Sequence, residues 1–404
     1  MKPSRLRFAS RMQDLRTSDI REILKVTQRP EIISFAGGLP ASELLPAAEM
    51  AELARDVLLD DGVRALQYAP TEGLDVLREL VADRLQRLWG LQRSMDEVLM
   101  VSGSQQALDL TGKVFLDEGD VILCESPTYL GAIGAFRAYR PEFVEVPTDD
   151  DGMVPADLES RLSSLDRVKL IYVVPDFQNP SGRRWSIERR CQLAKLAGRF
   201  NVPVIEDAPY AELCFEGEPM PPVAALGDGC TVVYLGTCSK ILSPGMRLGW
   251  VVADSDLVRR YVLVKQGTDL HTSSLIQLLA ARFMVDHDCD AHIDRIRGVY
   301  RARRDAMLAA LEEQFPEVVN FTRPAGGLFL WVELPEGLDA RELLERALEE
   351  RVAFVPGESF FPNGGHDNTM RLNFSAMPEE RITEGIRRLG KVLASVMAEN
   401  LAAM

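Results

Sequence analysis

The chain has little that would cross-link it, anchor it or draw it to a polyanion. Its 404 residues hold six cysteines, Cys124, Cys191, Cys214, Cys230, Cys238 and Cys289. None pairs with another at metal-ligand spacing, so no metal site is expected. A chain of this length buries ample core without disulfides, and scattered thiols suit a reducing compartment. No apolar run is long enough to cross a bilayer, and residues 1–7 lack the apolar stretch of a signal peptide. The expected location is therefore the cytoplasm, away from any membrane. Positive charge is also in deficit: 46 Lys and Arg stand against 61 Asp and Glu, a net charge of -15. That balance argues against nucleic acid as a partner. Small anionic substrates stay open, because a local pocket field decides binding at contact distance. No repeat or low-complexity segment is present.

What is there concentrates in four segments. Ser239-Lys240 is followed by Pro244-Gly245-Met246-Arg247-Leu248-Gly249. A lysine that attacks an aldehyde must be deprotonated, and a desolvated pocket or a neighbouring positive charge achieves that. Arg247 supplies such a charge, and its planar fork suits two-point contact with phosphate oxygens. Thr237 and Ser239 add hydroxyl donors, and the Pro-Gly turn brings the arginine back toward the lysine. A Ser-Lys pair alone reads better as a solvated surface lysine; the whole string is what chance does not supply.

The run Val204-Ile205-Glu206-Asp207 reads as a buried parallel strand with an acid at its carboxyl end. In open α/β sheets ligands sit at that end. A carboxylate there pairs with a protonated pyridine nitrogen, and Tyr210 donates to a ring oxygen; the plainer reading makes Asp207 a helix cap and Tyr210 a core aromatic. In Tyr172-Val173-Val174-Pro175-Asp176-Phe177-Gln178-Asn179-Pro180, a strand runs into a turn that presents the Asn179 amide, or is a turn and no more. Val98 to Leu108 reads as strand, small-residue turn and helix start. The leading N–H groups of that helix face an anion or are capped in the ordinary way.

Gly103-Ser104-Gln105-Gln106, Asn179-Pro180-Ser181-Gly182, Asp207 with Tyr210, and Ser239-Lys240 with Arg247 together resemble the fold-type I pyridoxal-phosphate aminotransferases. From Ser34-Phe35-Ala36-Gly37-Gly38-Leu39-Pro40 to Arg371-Leu372-Asn373-Phe374-Ser375, the chain is similar to the subgroup holding 2-aminoadipate aminotransferases and kynurenine aminotransferase II. The resemblance implies pyridoxal 5′-phosphate as cofactor, with Lys240 joined to it and then moving the proton at the substrate Cα. It implies Asp207 at the pyridine nitrogen, Tyr210 and Asn179 at the ring oxygen, and Tyr129 on the ring face. Ser104, Gln105, Ser239 and Arg247 would hold the phosphate, with Thr237 a lesser candidate. Tyr68, in Gln67-Tyr68-Ala69-Pro70, would reach that phosphate from a neighbouring subunit, which implies a homodimer. Arg371 would clamp the substrate α-carboxylate, Gly38 would leave room beside it, and Arg21 would pair with a distal carboxylate or stay solvated. Ala208 and Cys238 depart from the usual pattern without touching these roles.

The expected fold is α/β: a mostly parallel sheet flanked by helices, with a smaller α+β domain. Strands are expected over 121–125, 170–175, 202–207, 232–236 and 249–253, and helices over 18–28, 105–115, 187–200 and 256–266. A long helix over 288–315 leads to strands over 327–333, 352–356 and 370–375, with helices over 340–350 and 379–398. The expected division is an N-terminal helix and arm over the active site (1–45), a large cofactor-binding domain (46–287), and a linking helix with a small C-terminal domain (288–404). The expected reaction moves an amino group from an L-α-amino acid to a 2-oxo acid by a ping-pong cycle. Two alternatives compete: another reaction type on the same cofactor (β-lyase, racemase or oxidase), and the sensing half of a transcription regulator. Against the regulator stand the acidic balance and the roughly forty residues before the expected catalytic body.

Overall fold

The computed structural model describes residues 6–13, 29–227 and 229–403. The helix expected over 18–28, with Arg21, lies outside them. Strand β1 (Ile33–Ser34) comes first, and eight further strands build the large sheet: β2 (Val98–Val101), β3 (Val121–Ser126), β4 (Glu142–Asp149), β5 (Gly152–Met153), β6 (Val168–Val173), β7 (Val204–Asp207), β8 (Val232–Thr237) and β9 (Gly249–Val252). They lie in the order β2-β9-β8-β7-β6-β3-β4-β5. Pairings from β8 through β7, β6 and β3 to β4 are parallel, whereas β9 runs antiparallel to both its neighbours and β5 folds back on β4. The sequence reading finds most of this sheet but not its last two strands, β4 and β5. The first of these carries exposed and half-buried residues that leave no apolar run to read.

Alternate strand residues sort onto the two faces. Leu99, Ile122, Leu170, Ile205, Val233 and Val251 pack into one core. Val98 and Tyr234 face a second, and Leu123, Ile171 and Val204 a third. Both faces are thus buried, as continuous Val/Ile/Leu runs require, and each fully buried aliphatic side chain contributes about 1.5–3 kcal/mol.

Flanking helices end where their sequences dictate. Ser186 caps Ile187–Phe200 by accepting from Arg189 N–H, and Asn201 closes it in the left-handed conformation at φ 52°. Asp288 caps the 26-residue helix Cys289–Gln314 by accepting from Ala291 N–H at 2.9 Å.

Beyond that helix lie β10 (Asn320–Phe321), β11 (Phe329–Glu333), β12 (Val352–Ala353), β13 (Val355–Pro356) and β14 (Thr369–Asn373). The order β10-β11-β14-β13 forms a small antiparallel sheet, and β1 pairs with β12 on its own. The single strand expected over 352–356 is thus two, with Phe354 between them, each in a different sheet. The segment after Ser34 is pinned from both sides: Phe35 N–H donates to Ala353 O at 2.7 Å, and Phe35 O accepts from Asn373 N–H at 2.9 Å.

Candidate active site

Five parallel strands deliver their carboxyl ends to one edge. Asp207 is the last residue of β7, and Lys240, Asn179, Tyr129 and Ser104 follow β8, β6, β3 and β2 within a few residues. Arg247 reaches the same edge for the opposite reason. Because β9 is reversed, its amino end meets the carboxyl end of β8, with Thr237 registered against Gly249. Seven positions therefore suffice to bring Lys240 and Arg247 into one cavity of about 300 Å³. Ser104, Gln105, Tyr129, Asn179, Asp207, Tyr210, Thr237, Ser239, Gly38 and Arg371 line that cavity too. Tyr68 does not: it is 78% exposed, in a second cleft with Leu58, Leu59 and Val63.

Lys240 Nζ donates to Gly38 O at 2.8 Å. Burial, with Arg371 and Arg247 close by, brings its amine down to about 8. Asp207 is buried, and burial pushes its carboxyl up to about 7 although the Tyr172 hydroxyl donates to Oδ2 at 2.9 Å. Its other oxygen, Oδ1, is buried with no hydrogen-bond partner among the described residues. A lone buried acceptor is costly, so this oxygen marks the place of a missing donor.

Arg371 projects from β14. Its Nη1 donates to Asn179 Oδ1 at 2.8 Å and its Nη2 to Ala36 O at 2.5 Å. The guanidinium lies 4.2 Å from the Phe329 ring centre and 5.1 Å from that of Phe360. Its Nε has no partner among the described residues, and burial lowers its pKa to about 10. Tyr210 meets the same Phe329 edge to face at 5.8 Å. Burial pushes the hydroxyls of Tyr210 and Tyr129 up, the latter to about 12, so both remain donors.

The turn before the helix Ser104–Phe115 is shaped for an anion. Gly103 has φ +84°, and a Cβ there would come 2.6 Å from Arg247 Nη2, so only glycine lets the arginine lie against the turn. The leading N–H groups of the helix have no carbonyl within it to bond. The Thr237 hydroxyl donates to Leu248 O at 2.9 Å and accepts from Ser239 N–H at 3.1 Å, and so steadies the Ser239 backbone. The residues present fit pyridoxal 5′-phosphate: an orphaned carboxylate oxygen for the ring nitrogen, a near-neutral amine for the aldehyde, and an arginine-backed turn for the phosphate.

Comparison with known proteins agrees. The profile of the family "Aminotransferase class I and II" matches residues 30–389. The chain belongs to this family. The aminotransferase is 43% identical to aromatic-amino-acid aminotransferase 1 of Thermococcus litoralis over 394 residues, 96% of this chain and 94% of the relative. It also superposes on the multiple substrate aminotransferase of Thermococcus profundus with a TM-score of 0.93 and 45% identity, covering 97% of this chain and 98% of that one. For the alpha-aminoadipate aminotransferase of Thermus thermophilus, complexed with N-(5'-phosphopyridoxyl)-L-leucine, the TM-score is 0.90, with 44% identity and coverage of 97% and 98%. The protein is accordingly a pyridoxal-phosphate-dependent aminotransferase of fold type I, within the broad-substrate and aminoadipate subgroup.

The aminotransferase also uses residues that its sequence does not advertise. Tyr172 sits in a strand where every neighbour is apolar, and only its polar tip distinguishes it. Phe329, which floors Arg371 and Tyr210 and comes within 3.0 Å of a Cβ built on Gly38, reads in sequence as one more core aromatic.

Proposed function

We propose that this aminotransferase moves the amino group of an L-α-amino acid to 2-oxoglutarate by a ping-pong cycle, accepting 2-aminoadipate, glutamate and bulky apolar or aromatic donors. One observation carries the reading: the Lys240 amine and the Arg371 guanidinium both bond the short backbone stretch Ala36–Gly38, at 2.8 Å and 2.5 Å. That spacing suits a molecule whose amine and carboxylate share one carbon.

Bound pyridoxal phosphate supplies an electron-poor ring that weakens the bonds at that carbon. Arg371 holds the carboxylate from two points, steadied by Asn179. Lys240, near-neutral at working pH, takes the Cα proton and returns it one position along. Asp207, charged and held by Tyr172, keeps the ring nitrogen protonated. Asn179 and Tyr210 bond the ring oxygen, and Tyr129 covers the ring face. Ser104, Gln105, Ser239 and Arg247 hold the phosphate, and Tyr68 reaches it from a second subunit. The exposed Leu58, Leu59, Val63 and Leu66 beside Tyr68 support a homodimer through that cleft. The same reading assigns residues 1–45 to an arm over the site, 46–287 to cofactor binding and 288–404 to the linking helix and small domain, in a cytoplasmic enzyme.

Breadth of donor is supported by the similar proteins, one called a multiple substrate enzyme and another, an aminoadipate enzyme, complexed with a leucine adduct. The test is a donor panel against 2-oxoglutarate: glutamate should form with leucine, phenylalanine, kynurenine and 2-aminoadipate, and none formed with any donor would end the proposal. Arg21 enters as the partner of a distal carboxylate. Arg21→Ala should raise KM for 2-aminoadipate about tenfold and leave leucine unchanged; equal changes would remove Arg21 from specificity.

A further inference from the structure

Lys265 is the last-turn lysine of the helix Ser255–Gln266, and its side chain is 0% exposed. A chain buries an ammonium group only where partners compensate it. Lys265 Nζ donates to Asp269 Oδ1 at 2.6 Å and to Gln106 Oε1 at 3.4 Å. Asp269 Oδ2 accepts from Gln106 Nε2 at 2.7 Å and from the Ser102 hydroxyl at 3.1 Å. Gln106 Oε1 in turn accepts from the Ser102 backbone N–H at 2.7 Å. Both donors of Ser102 are thus fixed by a network that starts on another helix. Neither Lys265 nor Asp269 lines the cofactor cavity.

Ser102 is the residue before Gly103, where the chain has no slack. A Cβ on Gly103 would meet Arg247 at 2.6 Å, and one on Gly249 would lie 3.1 Å from Ser104 N. A shift of a few tenths of an ångström in Ser102 therefore changes how the first N–H groups of the helix Ser104–Phe115 and the Arg247 fork converge. A hydrophobic residue in place of Lys265 would fill the same space, and Asp269 would lose the cation that holds it against the turn.

We propose that Lys265, Asp269 and Gln106 are positioning residues that set the Ser102–Ser104 turn at the height where it holds the cofactor's phosphate. The inference rests on the phosphate site assigned under the proposed function. It separates phosphate recognition from ring recognition, because the network touches only the turn and not Asp207, Asn179 or Tyr210.

The experiment titrates apo-enzyme with pyridoxal phosphate and, separately, with pyridoxal, which lacks the phosphate. The variants are Gln106→Leu and the double Lys265→Met/Asp269→Leu, which removes the ion pair together and leaves no unpaired charge on the buried lysine side. Each should weaken pyridoxal phosphate binding about tenfold or more while leaving pyridoxal within about twofold. Asp269→Asn, which keeps an acceptor for Ser102 and Gln106, should lose less. Equal weakening for both ligands would show a merely structural network and overturn the inference, as would no weakening for either. Should the double variant fail to fold, Gln106→Leu decides alone. Uptake of neither ligand by the unmodified protein would sink the cofactor reading itself, and this inference with it. Normal uptake by the parent and by every variant sinks the inference alone.

Discussion

Asp207 shows at the scale of one residue how the site is prepared. Burial pushes its carboxyl up to about 7, and the Tyr172 hydroxyl opposes that by donating to the charged form. In Tyr172→Phe the opposition is gone, so the carboxyl rises further and the fraction ionised near neutral pH falls. Uptake of pyridoxal phosphate by the apo-enzyme should then need a higher pH, with the acid limb displaced upward. Asp207→Asn, which cannot hold a charge at any pH, should lose about 1.5–3 kcal/mol of cofactor affinity and show no such limb. Absorbance titrations across pH read both, and an unmoved limb in Tyr172→Phe would dismiss the hydroxyl as a tuning group.

Elements place these residues more firmly than the residues themselves do. The Gly103 turn and the reversed strand β9 are packed so that Arg247, itself left-handed at φ 49°, lies against the turn. Gly103→Ala must both strain a backbone at φ +84° and push Arg247 aside. It should weaken pyridoxal phosphate binding by about 1–3 kcal/mol and also lower the melting temperature of the apo-enzyme, because the strain is present before the cofactor binds. Affinity equal to the parent's would show that the turn yields freely.

The ends of β7, β8 and β6 are legible from sequence, because an apolar β-branched run that stops at Asp207, at Thr237 before Ser239-Lys240, or ahead of Asn179-Pro180 states both strand and site. The direction of β9 is not legible, since Gly249–Val252 reads the same either way. Lys265 is hidden for a related reason: in sequence it is one more helix lysine, and only tertiary packing makes it buried. Val352–Pro356 reads as continuous because the break at Phe354 is an apolar residue serving two sheets. Tyr68 is legible as a loop residue, but a contact made between chains leaves no mark within one.

At the scale of the whole molecule, burial sets a pH dependence. Asp207, Glu125 and Glu206 are all pushed up to about 7, chiefly by burial. Their pKa in the unfolded chain is about 4, so between pH 4 and 7 the folded apo-enzyme binds more protons than the unfolded chain. Stability is therefore lost as pH rises through that window. Carboxylates held low, such as Asp120 and Asp290, are ionised in both states there and drop out. His292 and, toward pH 8, Lys240 are pushed down by burial and give the opposite slope. Denaturant unfolding should find the apo-enzyme less stable at pH 8 than at pH 5, and Asp207→Asn should flatten part of that fall.

The proposed dimer has its own test at this scale. Tyr68 is 78% exposed in a cleft of its own and does not line the cavity of its own chain, whereas a two-fold dimer would exchange the two tyrosines between sites. Lys240→Ala and Tyr68→Ala chains should each be weakly active alone. Mixed after dissociation and reassociation, they form heterodimers in which one site carries both defects and the other carries neither. Random pairing makes half the dimers mixed, so about a quarter of the parent's sites should return. Recovery toward that level requires a tyrosine supplied in trans, because no arrangement that serves each cavity from its own chain produces an intact site from these two variants. No recovery, with dimers present by sedimentation, would place Tyr68 outside the neighbouring site.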